Sequence, residues 1–197
     1  PAQQAMSYLE NKGYAEAVRM IATAAKVKDT YLLSGAGAYR GSSQELGSCR
    51  KTFGQTLAVI MKEIGASGRK KVMVYSADLG GSTGVEAVKK EFPARYVTGG
   101  VMERNLLLRA AGFGAETGCQ GIFATFSVFG SEMLPSEIQM SALNRRNVLC
   151  HFSHAGVDWM ADNTCHYGIN ISFVDCHLPE DSPIEAYFPA DPLQMEA

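Results

Sequence analysis

The amino-acid sequence predicts an α/β domain: a mostly parallel β-sheet with helices on both faces, in three layers. After residue 50, short runs rich in Val, Ile, Phe and Tyr recur along the chain. Stretches with apolar residues at helical spacing separate these runs. Strands that alternate with helices of about ten or more residues pair in parallel, because each helix carries the chain back across one face of the sheet. The 197 residues are enough to bury the core of such a domain.

The elements of this domain follow one another along residues 50–197. The predicted helices are Thr52–Ile64, Val85–Glu91, Glu103–Thr117 and most of Gly130–Asn144. The predicted strands are Val72–Tyr75, Arg95–Val97, Gly121–Ala124, Val148–Phe152 and, after a long loop, Ala186–Phe188. Ligands of parallel sheets bind at the carboxyl ends of the strands, so polar residues just after these strands are the candidates for a site.

The first 49 residues are predicted to be separate from this domain. Residues 1–27 are rich in Ala, with apolar residues at helical spacing, and predict a helical arm. Residues 34–49 are rich in Gly and Ser and predict a linker. Residues 189–197 read as the end of a strand and the start of a helix that is not completed. We therefore expect a domain over residues 50–197 that is truncated at its C-terminus.

Composition and charge argue against several functional classes. The net charge of −2 gives no field that would draw nucleic acid or an anionic membrane to the protein. No apolar run approaches the ~20 residues of a membrane-spanning helix. The odd number of cysteines, 5, and the lack of a signal peptide predict reduced thiols and a cytoplasmic protein.

Several short motifs occur in a fixed order, close to the ends of the predicted strands. They are Ser76-Ala-Asp-Leu79, Gly100-Val-Met-Glu-Arg-Asn105 with Ala110-Ala-Gly112, Thr125-Phe-Ser-Val-Phe129, and His154-Ala-Gly-Val157 with Asp162 and His166. In this order they resemble the pyrimidine-binding domain of transketolases and, more faintly, that of deoxyxylulose-phosphate synthases. The resemblance covers about residues 50–192 and implies the thiamine-diphosphate-binding fold.

The resemblance also implies thiamine diphosphate as the cofactor and Glu103 as the residue that activates it. A carboxylic acid hydrogen-bonded to the ring nitrogen N1′ helps the cofactor's own aminopyrimidine act as the base that starts the reaction. Burial beside apolar walls would keep that proton available. Taken alone, a glutamate in the first turn of a helix is explained as well by the helix dipole. The assignment therefore depends on the whole set of motifs.

Other positions that match the family line the expected cofactor site. Phe126 and Phe129 match residues that stack on and flank the pyrimidine, as flat apolar rings do. Val101 would form the opposite wall of the pocket, and Asp78 would lie near the cationic thiazolium. Ordinary core packing is the alternative explanation for the two phenylalanines, and one of them could do only that.

A second group of residues matches positions that bind substrate in transketolases. His154, Asp162 and His166 have the family's spacing, and their counterparts bind sugar hydroxyls and the reacting oxygen; His154 and His166 are thus catalytic candidates beside the cofactor. Arg50 and Ser82 match positions that hold a sugar phosphate, for which a guanidinium fork with a hydroxyl is suitable chemistry. A solvated surface arginine explains Arg50 about equally well.

Magnesium and the diphosphate are expected to be held elsewhere. The sequence has no Gly-Asp-Gly motif with a downstream Asn, the family's site for both groups. The resemblance thus implies a diphosphate-binding domain from another chain or from the rest of a longer one, in a homo- or hetero-oligomer with sites at a dimer interface. The pairs Cys150-His151, Cys165-His166 and Cys176-His177 lack the spacing of a metal chelate, so we predict no metal site in this chain.

The function implied first is the transfer of a two-carbon ketol unit between sugar phosphates, by a transketolase-like transferase within a larger assembly. Arg50, Ser82 and the histidines favour sugar phosphates over the substrates of a 2-oxo-acid dehydrogenase or decarboxylase subunit. A deoxyxylulose-phosphate-synthase-like subunit is a further alternative. A non-catalytic module, which keeps the fold but only half of a pocket, is the alternative from another class.

Overall fold

The structure, a computed structural model, describes residues 2–24, 47–155 and 182–197. The chain divides into two compact units, Pro1–Tyr31 and Leu32–Ala197. The first unit holds two helices that pack on each other, α1 (Ala2–Asn11) and α2 (Ala15–Ala24). Gly13 makes the turn between them at a φ of 79°, which a glycine adopts without steric cost. The predicted helical arm is thus a helical hairpin.

The second unit alternates helices and strands in the predicted order. Its elements are α3 (Cys49–Glu63), α4 (Gly65–Arg69), β1 (Val72–Ser76), α5 (Gly80–Thr83), α6 (Glu86–Glu91), a 3₁₀ turn (Pro93–Arg95), β2 (Tyr96–Thr98), α7 (Glu103–Phe113), β3 (Gln120–Phe126), α8 (Ser127–Glu132), α9 (Pro135–Leu143), β4 (Val148–Ser153) and α10 (Pro192–Glu196). None of the helices in these described ranges combines the length and hydropathy needed to cross a bilayer.

The four described strands form one parallel sheet in the order β2-β1-β3-β4. Side chains alternate between the two faces of a strand. Val74 and Ile122 pack in one hydrophobic cluster with residues of α3 and α6. Their neighbours Tyr75 and Phe123 pack in a second cluster with residues of α7 and α9. Helices therefore cover both faces, and the predicted three-layer α/β architecture is confirmed.

The contact between α7 and β3 sets the position of Glu103. Because α7 connects two strands that each pair in parallel with β1, it runs back across the sheet and begins at the carboxyl ends of the strands. A Cβ on Gly121 would lie 2.0 Å from the carbonyl oxygen of Ala110, so only glycine lets the helix backbone approach the strand this closely. Leu106 and Leu107 of α7 are buried on the same side. Together these contacts hold the first residue of α7, Glu103, at the carboxyl edge of the sheet.

A second close approach joins α3 to the turn after α5. A Cβ on Gly54 would lie 1.9 Å from the carbonyl oxygen of Gly84, and a Cβ on Gly84 would lie 1.8 Å from that of Arg50. Gly84 also has a φ of 83°, in the left-handed region that favours glycine. The first turn of α3 is therefore pressed against the α5–α6 turn, which brings Arg50 to the edge where the strands end.

Several predicted boundaries were wrong. β2 begins one residue later than predicted, because Pro93 starts a 3₁₀ turn before it. Helix α7 ends at Phe113 rather than Thr117, because the next residue, Gly114, lies so close to Asn147 that a Cβ would be 2.1 Å from the asparagine carbonyl oxygen. The predicted helix over residues 130–144 is two helices, α8 and α9, with Pro135 at the start of the second.

The predicted strand Ala186–Phe188 was also wrong. The described residues 182–190 contain no strand, and the side chains of Tyr187 and Phe188 are 77% and 52% exposed. An apolar run forms a strand only where a neighbouring strand can accept its backbone hydrogen bonds, and the register of the sheet shows none beside these residues. The predicted start of a helix is present as α10, where the Asp191 carboxylate accepts a hydrogen bond from the Gln194 amide at 2.9 Å.

Candidate functional site

Three of the predicted substrate residues meet at the carboxyl edge of the sheet. Arg50, in the first turn of α3, donates from Nη1 to the carbonyl oxygen of Ser82 at 3.0 Å and to Nε2 of His154 at 3.1 Å. Ser82 belongs to α5, which follows β1, and His154 directly follows β4. The three residues thus come from separate segments that only the fold brings together. We refer to Arg50, Ser82 and His154 below as the Arg50 cluster.

His154 is held in an unusual conformation. Its φ is 60°, in the left-handed region that residues other than glycine rarely adopt. The hydroxyl of Ser127, at the start of α8, donates to the His154 carbonyl oxygen at 2.9 Å. Nδ1 of the ring lies 3.0 Å from the Ser153 hydroxyl. Ser127, Ser153 and His154 are all buried, so the histidine is fixed at both its backbone and its ring.

The two candidate pyrimidine-binding rings lie next to this cluster. Phe126 and Phe129 have their ring centroids 6.3 Å apart with planes at 14°, a nearly parallel arrangement. Phe126 is buried and Phe129 half-buried. The Phe126 ring also contacts the His154 imidazole, with centroids 4.1 Å apart and planes at 56°. Phe126 therefore joins the predicted cofactor-binding residues to the predicted substrate-binding residues.

Glu103 is a buried carboxyl at the N-terminus of α7, with 5% of the residue exposed. Within the described part of the chain, no hydrogen bond or ion pair is made to its carboxyl group, whereas its neighbour Arg104 pairs with Glu137 of α9 at 3.8 Å. Among the described residues, Thr125 Oγ1 is the side-chain atom that is fully buried without a partner, so the Glu103 oxygens are reachable and can bind a polar ligand. Val101, the predicted opposite wall, is 78% exposed, so its side chain is not enclosed by the described residues.

The roles predicted for Asp78, Asp162 and His166 are not tested by the structure. Asp78 is exposed in the loop after β1 and has a φ of 62°, and its expected place beside the thiazolium stays a prediction. Asp162 and His166 lie outside the residues that the structure describes. Their expected approach to His154 and their implied roles in substrate binding therefore stay predictions as well.

Sequence reasoning missed Ser127 and Ser153, the two serines that hold His154. Serine is common in loops and at helix starts for many reasons, so neither position gave a signal by itself. Each one, however, directly adjoins a residue that the motifs had singled out: Ser127 follows Phe126, and Ser153 precedes His154. That adjacency was the available signal.

His151 lies deeper and has a structural environment. Its ring stacks on Phe53 of α3, with centroids 3.9 Å apart and planes at 7°, and Nε2 donates to the Thr83 carbonyl oxygen at 3.1 Å. Burial lowers the pKa of His151 to about 4, although the hydrogen bond to Thr83 opposes the shift, so the ring is neutral near pH 7. Burial also raises the pKa of the Cys150 thiol to about 12. Across the described ranges, no three His, Cys, Asp or Glu residues are grouped as a metal site would need.

The family model for the transketolase pyrimidine-binding domain matches residues 47–197. The chain belongs to this family. It is 34% identical over 131 residues to the putative transketolase C-terminal section of Methanocaldococcus jannaschii, a match that covers 66% of this chain and 37% of that protein. It is 28% identical over 144 residues to 1-deoxy-D-xylulose-5-phosphate synthase 1 of Geobacter sulfurreducens, covering 73% and 21%. Transketolase of Homo sapiens is 24% identical over 147 residues, covering 75% and 22%.

A solved structure titled as a split gene transketolase, inactive β4 tetramer, is also similar. It is 30% identical, with a TM-score of 0.46, and the match covers 54% of this chain and 34% of that one. The chain spans well under half the length of each curated relative named above. The resemblance inferred from the ordered motifs is thus confirmed: the chain is a transketolase pyrimidine-binding domain of a thiamine diphosphate-dependent enzyme family.

The described residues fit the pyrimidine half of that cofactor. A flat nitrogen heterocycle needs an apolar surface to stack on and a hydrogen-bond partner at its edge. The nearly parallel rings of Phe126 and Phe129 can supply the first, and the Glu103 carboxyl, which has no hydrogen-bond partner among the described residues, can supply the second.

Proposed function

We propose that this chain is the pyrimidine-binding part of a thiamine diphosphate-dependent transferase that moves a two-carbon ketol unit between sugar phosphates. The observation that supports this most strongly is the contact between Phe126 and His154. It places a ring suited to the pyrimidine directly against the Arg50 cluster, whose residues match positions that bind sugar phosphates. A site for the cofactor and a site for the substrate would then share one wall.

Glu103 is the activating residue in this proposal. When bound, thiamine diphosphate supplies the carbon nucleophile that attacks the ketose carbonyl. Glu103 would hold a proton on its carboxyl oxygen and donate it to N1′ of the pyrimidine, while Phe126 and Phe129 would keep the ring in place and exclude water.

The Arg50 cluster would bind the phosphate end of the sugar. A guanidinium binds phosphate through directed, charge-assisted hydrogen bonds, and its orientation here is set by the Ser82 carbonyl and by Nε2 of His154. A 2-oxo-acid substrate has no phosphate that would use such a cluster. Deoxyxylulose-phosphate synthesis is the second candidate, favoured by the similarity to the Geobacter sulfurreducens synthase. It would use the same cluster for an aldose-phosphate acceptor but take a 2-oxo acid as donor.

The diphosphate and magnesium would be bound by a diphosphate-binding domain from another chain or from the rest of a longer one. The limited share of its relatives that this chain spans supports the proposal. An exposed Val101 beside a buried Glu103 is also what a site completed by a second domain would leave uncovered. We propose a homo- or hetero-oligomer that acts in the cytoplasm.

Reconstitution tests this function. The chain is mixed with a separately produced diphosphate-binding domain of a transketolase, thiamine diphosphate and magnesium, and ketol transfer from a ketose phosphate to an aldose phosphate is assayed. Wild type is expected to turn over, and Arg50→Ala is expected to lose activity mainly through a higher KM for the sugar phosphates. Activity with a 2-oxo acid as donor and glyceraldehyde phosphate as acceptor, without ketol transfer, would favour the second candidate. If thiamine diphosphate binds to no combination of this chain with a diphosphate-binding domain, both candidate activities are contradicted and the non-catalytic module is supported.

A further inference from the structure

One arrangement of hydrogens on the His154 ring fits the contacts of its two nitrogens with Arg50 and Ser153. An arginine side chain only donates hydrogen bonds, so Nε2 must accept the bond from Arg50 Nη1 at 3.1 Å. Nε2 therefore carries no proton. In the neutral ring the proton is then on Nδ1, from which it is donated to the Ser153 hydroxyl at 3.0 Å.

The opposite tautomer conflicts with these contacts. With the proton on Nε2, that N–H would face an N–H of Arg50, and two donors would meet across 3.1 Å in a buried place. Ser153 is buried at 4% exposure and is the last residue of β4, where it pairs with Phe126 of β3, so the strand fixes the position of its side chain. Ser127, fully buried, holds the His154 backbone from the other side at its carbonyl oxygen.

We propose that Ser153 and Ser127 are positioning residues, which fix His154 with its proton on Nδ1 and the lone pair of Nε2 directed at Arg50. Arg50, which only donates, selects the tautomer, Ser153 accepts the proton on Nδ1 and so holds the ring in place, and Ser127 stabilises the left-handed backbone that turns the ring toward Arg50. The pair then presents an oriented guanidinium and a neutral imidazole at the same point. The role of this arrangement in substrate binding depends on the proposed function above, whereas the arrangement itself does not.

His151 gives an internal reference for testing this proposal. It lies three residues away in the same sequence segment, and its Nε2 donates to a carbonyl oxygen, that of Thr83. A carbonyl only accepts, so His151 carries its proton on Nε2. The two histidines must therefore be opposite tautomers in one protein, which is a distinctive spectroscopic signature.

The decisive measurement is ¹⁵N–¹H NMR of the full chain with ¹⁵N-labelled imidazoles, near pH 7 and without any cofactor. The chain has 4 histidines, and His154→Asn assigns the signal. We expect a protonated Nδ1 and a bare Nε2 for His154, and the reverse for His151. In Ser153→Ala, the proton on Nδ1 of His154 loses its acceptor, so its NMR signal should move and exchange faster with water, and Ser153→Thr should restore the wild-type pattern. A protonated Nε2 on wild-type His154, or an unchanged pattern in Ser153→Ala, would overturn the proposal.

Ser131 supplies a matched control on α8. Among the described residues, its hydroxyl donates to carbonyl oxygens of its own helix, those of Ser127 and Val128. Ser131→Ala should leave the His154 signals unchanged, whereas Ser127→Ala should move the backbone shifts of His154 out of the left-handed range. If Ser127→Ala does not fold, the wild-type and Ser153 spectra still decide the question.

Kinetics of the reconstituted enzyme separate this proposal from the function on which its catalytic role depends. Ser153→Ala is expected to raise the KM for the sugar phosphate about fivefold, the effect of losing one hydrogen bond, with little change in affinity for thiamine diphosphate. If no ketol transfer is found, the proposed function fails while the tautomers are still measurable. An unchanged KM in Ser153→Ala together with a changed Nδ1–H signal would overturn the positioning role.

Discussion

Nη1 of Arg50 lies 3.1 Å from Nε2 of His154, although 104 residues separate the two in the sequence. Arg50 reaches this position because Gly54 and Gly84 let α3 approach the α5–α6 turn, and His154 reaches it through a left-handed backbone held by Ser127. The contact links the first helix of the domain to its last described strand. It is the centre of the proposed substrate site.

The first prediction concerns the guanidinium of Arg50. Arg50→Lys keeps the charge but loses the geometry that spans Ser82 and His154, so the KM for sugar phosphate should rise roughly 10- to 100-fold in the reconstituted enzyme, as expected for a hydrogen bond to a charged group. Steady-state kinetics check this. The adjacent exposed residue Lys51 gives the control, Lys51→Ala, which should stay near wild type. Equal KM values for wild type and Arg50→Lys would refute the role of the cluster.

The second prediction concerns the close approach at Gly84. Gly84→Ala combines an unfavourable positive φ with a clash against the Arg50 carbonyl oxygen, and should lower the free energy of unfolding by about 2–3 kcal/mol or more. Urea titration measures the change. Gly81 lies nearby in α5, and a Cβ there meets no atom within 4 Å. Gly81→Ala should therefore change stability by less than about 1 kcal/mol. Similar losses in both variants would contradict the packing described for α3.

The third prediction is a pH dependence of stability from His151. Burial, opposed by the hydrogen bond to Thr83, lowers its pKa from 6.5 to about 4. Below pH 6.5 the unfolded chain binds a proton that the folded chain does not, so stability falls as the pH drops from 6.5 toward 4. The total loss from this group is about 3 kcal/mol. Above pH 6.5, His151 does not make the free energy of unfolding depend on pH.

Urea unfolding of wild type and His151→Phe between pH 7 and pH 4.5 measures this contribution. Phenylalanine keeps a ring that can stack on Phe53 but does not titrate, so the variant should lose less stability on acidification than wild type does. Parallel stability profiles for the two proteins would show that His151 is not the source of the slope.

The fourth prediction separates the two aromatic residues. Phe129→Leu removes the ring that stacks beside Phe126, and should weaken thiamine diphosphate binding to the reconstituted complex about fivefold to tenfold. Phe126→Leu should weaken it as well and also raise the KM for sugar phosphate, because the Phe126 ring contacts His154. Calorimetry and kinetics give the two values. If Phe126→Leu affects neither, the shared wall between the two sites does not exist.

Much of the fold followed from local patterns. The alternation of apolar strands with helices of sufficient length was enough to predict a parallel sheet covered on both faces, because that arrangement is the usual one for such a pattern. The prediction failed at Ala186–Phe188, where an apolar run looked like a strand. Local sequence carries no information on whether a partner strand is near, and here the described sheet offers none.

The site was only partly accessible to sequence reasoning. Glu103, Phe126 and His154 belong to motifs that a family resemblance can recognise. Ser127 lies inside the motif Thr125–Phe129, but its bond to the His154 carbonyl, like that of Ser153 to the His154 ring, depends on how the chain turns after β4, which the motifs do not show. The meeting of Arg50 with Ser82 depends on two glycine contacts between distant segments. Long-range geometry of this kind is set by the packing of whole elements, and it becomes visible only in the folded structure.

The central claim is that Glu103 activates thiamine diphosphate, and the exchange of the cofactor's C2 proton tests it most directly. The chain is assembled with a diphosphate-binding domain of a transketolase, thiamine diphosphate and magnesium, and exchange with D₂O is followed by quenched-flow NMR without substrate. Glu103→Gln should slow the exchange by at least about 10²-fold, the usual effect of losing a general acid or base. Glu116→Gln, at an exposed position beyond the end of α7, should match wild type. Equal exchange in wild type and Glu103→Gln, with the cofactor bound in both, would contradict the claim.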